Sequence, residues 1–200
     1  MSVAATFALV AAVLQALALL MLAHLHRIDR SPGVLTRAVS DMALDPMTAR
    51  IFVVYGSLGT LAILCLACAV ALSDRVALPA RAPVYMALLG LLRIGVLAFP
   101  TDAPGAQKTR TGHVHLFFAV VTFSLAYMAI AASAPVVAAL PGAIGPFLGG
   151  LRWIVAAALA GVVVTMAPPL HGLFGIPERI FLVGAALWFL LLGLLLATGG

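Results

Sequence analysis

Six apolar runs, each near 20 residues, divide this chain, and the segments between them hold twelve of its seventeen charged residues, with Arg93 the one charge well inside a run. About 20 apolar residues in a helix cross the ~30 Å hydrocarbon core of a bilayer. Inside that core each backbone polar group must be satisfied within the protein, which leaves helices or closed barrels. Runs of this length, without period-two alternation, select helices. The expected fold class is all-α: a polytopic membrane protein, a six-transmembrane-helix bundle forming a single domain over residues 1–200. The spans are expected at about 3–23, 47–72, 83–99, 113–134, 151–167 and 178–198.

Composition closes off the other classes. Only 8% of residues are charged, against about 25% in soluble domains, so this chain could not cover a water-facing surface. The net charge of +5 comes from bases that flank the runs, where they act as topology signals and contacts for anionic lipid. No basic block with interleaved aromatics occurs, so nucleic acid is not an expected partner; membrane lipids and other transmembrane subunits are. The first run lacks a positively charged start and exceeds the 7–15 residues of a signal-peptide core, so it reads as a span. Cys65 and Cys68 lie inside the second run and read as buried packing thiols. Gly56, Ser57, Gly59 and Thr60 in that run would let another helix approach closely. Pro135 reads as the stop of the fourth span. The uncharged stretch 136–150, with Pro141, Gly142, Gly145 and Pro146, reads as lying in the interface or dipping into it.

Six spans put both termini on one side and the first, third and fifth loops on the other. The odd-loop side carries Arg27, Arg30, Arg37, Arg50, Lys108, Arg110 and Arg179; the opposite side carries Arg75, Arg81 and Arg152. The excess of bases places the odd loops in the cytoplasm. Independently of orientation, all five histidines (His24, His26, His113, His115, His171) and five of the six acids (Asp29, Asp41, Asp45, Asp102, Glu178) fall on the odd-loop side, with Asp74 alone elsewhere.

That one-sided cluster holds the candidate chemistry. A zinc reading uses Asp102, His115 and His171 as ligands with Glu178 as base, since catalytic zinc keeps three protein ligands and one open position. His113 and His115 point about 200° apart on a helix, so they share a site only if His113 precedes it. A haem reading needs two inward-facing histidines from different helices, whereas all five histidines sit at span edges. Arg93 lies inside the third run, roughly 9 Å below its end at 1.5 Å per residue. A buried arginine there calls for a partner, and Glu178 and Asp102 are the acids at hand; snorkelling to the surface is the alternative. Glu178 and Arg179 open the last span, where an acid in the first turn suits the helix dipole. No nucleophile elbow and no phosphate-cradling glycine loop is present.

Four motifs in order carry a resemblance. These are Val39-Ser40-Asp41-Met42-Ala43-Leu44 before the second span, Gly95-Val96-Leu97-Ala98-Phe99-Pro100 closing the third, Gly112-His113-Val114-His115 opening the fourth, and Gly175-Ile176-Pro177-Glu178-Arg179-Ile180, followed by Trp188, in the sixth. Across nearly the whole chain this set resembles the prokaryotic membrane family called domain of unknown function 998. The resemblance implies a six-helix bundle in a prokaryotic cytoplasmic membrane. It marks Ser40, Asp41, Phe99, Pro100, His115, Glu178 and Arg179 as family-pattern positions, and it supplies no activity.

The candidate ligand-binding cluster is therefore Ser40, Asp41, Arg93, Asp102, His115, His171, Glu178 and Arg179. The leading expectation is a protein that binds a lipid headgroup, or an accessory subunit of a membrane complex, with a polar site at one membrane face. Mixed acids and bases suit a zwitterionic or phosphate-bearing group, with arginine on the phosphate. A membrane-embedded lipid hydrolase, metal-dependent or acting through His115 with Glu178 or Asp102, is the first alternative. A small-solute or proton transporter, which needs a polar cavity at the bilayer midplane, is the second.

Overall fold

The computed structural model describes residues 1–31, 33–74, 76–140 and 142–198; Arg75 and Pro141, both used above, lie outside them. Among the described residues six helices are long and apolar enough to cross a membrane. They are α1 (Val3–Ile28), α2 (Pro46–Ala71), α3 (Arg81–Ala98), α4 (Arg110–Ala138), α5 (Ile144–Thr165) and α6 (Gly175–Thr198). No strand occurs among the described residues. Two short 3-10 segments, Val39–Leu44 and Pro168–Leu173, lie in the first and fifth loops.

Polar caps set several boundaries. Ser2 Oγ accepts from Ala5 N at 3.2 Å to start α1. Asp45 accepts from Met47 N at 2.8 Å, with Pro46 in the first helical position, where its missing N–H has no partner to lose. Thr109 caps α4 by accepting from Gly112 N at 3.1 Å. The fourth helix thus begins three residues before His113, and His113 and His115 lie on different faces.

The described residues of the stretch 136–150 are mostly helical. Helix α4 runs through Pro135 to Ala138, and α5 begins at Ile144 instead of near 151. Pro135 removes one bond in the last turn, while Val137 beyond it is fully buried. Pro146 sits in the first turn of α5, where N–H groups are unpaired anyway. Gly145 makes the tight corner: a Cβ there would stand 2.6 Å from the Val137 carbonyl. Cys65 is part-buried and Cys68 exposed, so the second thiol faces outward and only one of the pair packs.

The helices close a ring. Each packs on its neighbour in sequence and α6 returns to α1. Glycines set the α2–α3–α4 approach: a Cβ on Gly56 would meet Leu97, on Gly90 would meet Leu64, and on Gly95 would meet Phe118. The ring is filled unevenly. Away from the odd loops, Ala8, Leu66, Met86, Ile130, Leu148, Trp188 and Leu192 form one apolar plug, and Trp188 Nε1 donates to the Leu148 carbonyl at 3.2 Å to tie α5 to α6. Toward the odd loops, a smaller cluster (Leu22, Leu25, Val39, Met42, Phe52, Tyr55) joins α1, α2 and the first loop. The rest of that half encloses a cavity.

Candidate functional site

The cavity has a volume of about 860 Å³, in the upper range of small-molecule sites. All six helices contribute wall. It reaches the surface beside Thr101–Lys108 and descends along α4 from His115 to Ala126 and along α6 from Glu178 to Phe189. Eleven residues of helix correspond to about 16 Å, so it ends near mid-bilayer, at the plug. Its upper rim is polar and its lower wall mostly apolar, with Gln15 and Arg93 as the strongly polar groups below the rim. Of the eight cluster residues, Ser40, Asp41, Arg93, Asp102, His115, His171 and Glu178 border this cavity, and Arg179 does not.

Arg179 instead fastens the first loop to α6. Its Nε–H donates to His26 Nε2 at 2.6 Å, and Nη1 donates to the carbonyls of Arg37 at 2.6 Å and Gly175 at 2.9 Å. Nη2 donates to the Val34 carbonyl. His26 in turn donates from Nδ1 to the Leu22 carbonyl at 2.7 Å, the tautomer that leaves Nε2 free to accept. Gly175 N donates to the Thr36 carbonyl at 2.8 Å. A Cβ on Gly175 would lie 2.1 Å from the Arg37 carbonyl, so only glycine lets the loop lie this close. Buried Glu178 completes the fastening by accepting from Val39 N at 2.7 Å, at the start of the 3-10 turn Val39–Leu44.

That 3-10 turn presents Ser40 and Asp41 to the cavity. Asp41 is buried, and Arg37 Nε stands 3.7 Å from its Oδ2, an ion pair too long for a hydrogen bond. Burial pushes the Asp41 carboxyl above its ordinary value, partly offset by Arg37. Across the mouth, Asp102 accepts from Thr109 Oγ1 at 2.7 Å and from Thr109 N at 3.0 Å. These hydrogen bonds hold its carboxyl below the usual value. A Cβ on Gly112 would fall 1.8 Å from Asp102 Oδ2, so the glycine of the Gly-His-Val-His motif makes room for this carboxylate. Buried His115 donates from Nδ1 to the Phe99 carbonyl at 2.8 Å, closing α3 against α4, whereas exposed His113 donates to the Thr109 carbonyl at 2.7 Å.

The structure separates the expected metal ligands. His171 is exposed and stacks on Phe174, His115 is held by Phe99, and Asp102 is held by Thr109. No group of three or more His, Cys, Asp or Glu positioned to hold a metal occurs among the described residues. The Asp102–His115–His171 zinc reading is corrected accordingly. The expected pairing of Arg93 with Glu178 or Asp102 is also corrected. Among the described residues the one ion pair is Arg37–Asp41, and Arg93 lies over the Tyr55 ring, 5.5 Å from its centroid.

Four further residues build the site. His26 lies two residues from His24, yet His24 is exposed and His26 turns inward to Arg179. Arg37, Tyr55 and Gly175 carried no signal beyond type, except that a glycine three residues before Glu178 allows a close chain crossing. Gln15, the one strongly polar residue of the first run, lines the cavity.

No curated protein and no solved structure matches the chain. The profile of one family, described as Protein of unknown function (DUF998), matches residues 9–195. With six membrane-crossing helices and this match over nearly its full length, the chain belongs to that family and is a multi-pass protein of the prokaryotic cytoplasmic membrane.

Proposed function

We propose that this protein binds a membrane lipid, polar end included, in the cavity at its odd-loop face. One observation carries the reading: the cavity has a polar rim of acids, bases and histidine above an apolar wall that stops at the plug, and on its α4–α5 side it is lined by exposed Leu116, Val120, Val163 and Met166. Polar groups inside, beside an apolar wall lined by exposed α4 and α5 residues, fit an amphiphile with its polar end inside and its chain along that wall. A transporter would need a polar route onward, and Ile130, Trp188 and Leu192 fill that route. A metal-dependent hydrolase would need ligands that converge, and the three candidates are engaged apart.

The test is lipid retention. Protein purified in mild detergent is expected to carry a lipid at near-stoichiometric amount, measured by extraction and mass spectrometry. Ala119→Trp, which fills the cavity from α4, is expected to displace it while the protein stays folded. Finding no lipid above detergent background on the unsubstituted protein would overturn the proposal.

A further inference from the structure

We propose that Arg93 pairs with the ligand, and that the ligand is an amphiphile whose polar end is an oxyanion. This rests on the lipid-binding reading above and names its ligand class.

Register fixes the depth of Arg93. On the α2–α3 seam Gly56 faces Leu97 and Gly90 faces Leu64, and between them Gly59 faces the Arg93 guanidinium, whose atoms lie 3.0–3.2 Å from where a Gly59 Cβ would be. The guanidinium therefore stays level with its own backbone, opposite the middle of α2, and has not snorkelled. A charge at that depth is costly unless something compensates it. The protein supplies the Tyr55 ring, within the ~6 Å reach of a cation–π contact. It supplies no hydrogen bond to Arg93 among the described residues. The acids of the rim are spoken for: Glu178 by Val39 N, Asp102 by Thr109, Asp41 by Arg37.

The guanidinium borders the cavity, so the missing partner has space to enter. Rim charges of both signs (Arg37 and Lys108 against Asp41, Asp102 and Glu178) oppose one another, whereas Arg93 is the one charged residue among those lining the depth. A planar guanidinium fork matches a carboxylate or phosphate bidentately.

The test is native mass spectrometry of delipidated protein with three probes: oleate, oleoyl lysophosphatidate and neutral monoolein. The unsubstituted protein is expected to bind at least one of the two anions about tenfold or more tightly than monoolein, the scale of a charge-assisted hydrogen bond. Whichever of oleate and lysophosphatidate binds better identifies the head as carboxylate or phosphate. Arg93→Gln is expected to erase the preference and keep monoolein binding, which doubles as its folding control. Arg93→Lys, with charge but no fork, is expected to keep part of it. Equal binding of monoolein and both anions by the unsubstituted protein overturns the proposal without any variant. So does a preference that survives in Arg93→Gln. Binding of lipid that ignores its charge leaves the lipid-binding reading standing and removes this one; binding of no amphiphile removes both.

Discussion

Arg179 and Arg93 both sit in spanning helices and both are half-buried, yet their surroundings differ in kind. Arg179 spends its donors on four backbone carbonyls and on His26, all but the Leu35 carbonyl (3.4 Å) within 3 Å. Its partners come from α1, the first loop and its own helix, so it binds chain to chain. Arg93 meets one aromatic ring, a glycine and open cavity. A guanidinium met by carbonyls needs no counter-ion and acts as a fastener. One set in the wall of a cavity keeps its hydrogen-bonding capacity for what enters. The same residue type, a few ångströms apart in depth, thus divides the molecule into a stitched side along α1–α6 and a receptive side along α2–α3.

The largest expected effect tests the stitched side. Arg179→Gln leaves carbonyls of Val34, Arg37 and Gly175 without their donor. Hydrogen bonds to a charged group are worth about 1.5–3 kcal/mol each, and with partial rescue by water the loss should reach about 3 kcal/mol. Thermal unfolding in detergent measures it, and limited proteolysis should show the first loop released. Arg93→Gln in the same assay should cost under about 1 kcal/mol, since no hydrogen bond among the described residues goes with it. Equal losses from the two substitutions would erase the distinction.

Two glycines sharpen it at smaller scale. Gly175→Ala drives a Cβ to 2.1 Å from the Arg37 carbonyl, with the Thr36 backbone carbon at 2.7 Å and Arg179 Nη1 at 2.5 Å. Backbone cannot yield as a side chain does, so the cost should be about 2–3 kcal/mol. Gly59→Ala meets the mobile end of Arg93 at 3.0 Å, which a few tenths of an ångström relieves. The better helix propensity of alanine, about 1 kcal/mol, offsets that, and stability should hardly move. A large loss at Gly59 would mean that Arg93 is locked in place rather than held ready.

The fold was legible because bilayer length and backbone satisfaction leave few solutions: six runs gave six helices. Boundaries slipped where a breaker residue falls in a first or last turn, as Pro135 and Pro146 do, and where polar residues continue a helix, as His24, His26 and Arg27 do in α1. The side of the molecule holding the polar residues was legible too, since loop parity alone assigns it. Which polar residues fasten and which face the cavity was not. Glu178 and Arg93 look alike as intramembrane charges, and only chain crossings distant in sequence (Val39 over Glu178, Tyr55 and Gly59 beside Arg93) tell them apart. The Asp102–Gly112 contact was hidden for the same reason, because spacing does not reveal that a carboxylate folds back over the start of the next helix.

The smallest expected effect separates the two loops that border the mouth, one stitched by Arg179 and one capping the helix that follows α3. In the first, burial raises the Asp41 carboxyl above 3.8. The folded protein then holds that proton more tightly than the unfolded chain, so the Asp41 contribution is full below 3.8 and is lost as pH rises through the folded value. In the second, Thr109 holds the Asp102 carboxyl below 3.8. Its contribution is full above 3.8 and is lost as pH falls through the folded value. Unfolding followed from about pH 3 to 6 should therefore show opposite slopes in the two substitutions. Asp41→Asn should flatten the decline in stability on the higher-pH side, and Asp102→Asn should flatten the decline on the acid side. If Asp41→Asn instead steepened the higher-pH decline, the Arg37 contact would outweigh burial, and the 3-10 turn would be held by its ion pair rather than by the Glu178–Val39 bond and the Arg179 stitch.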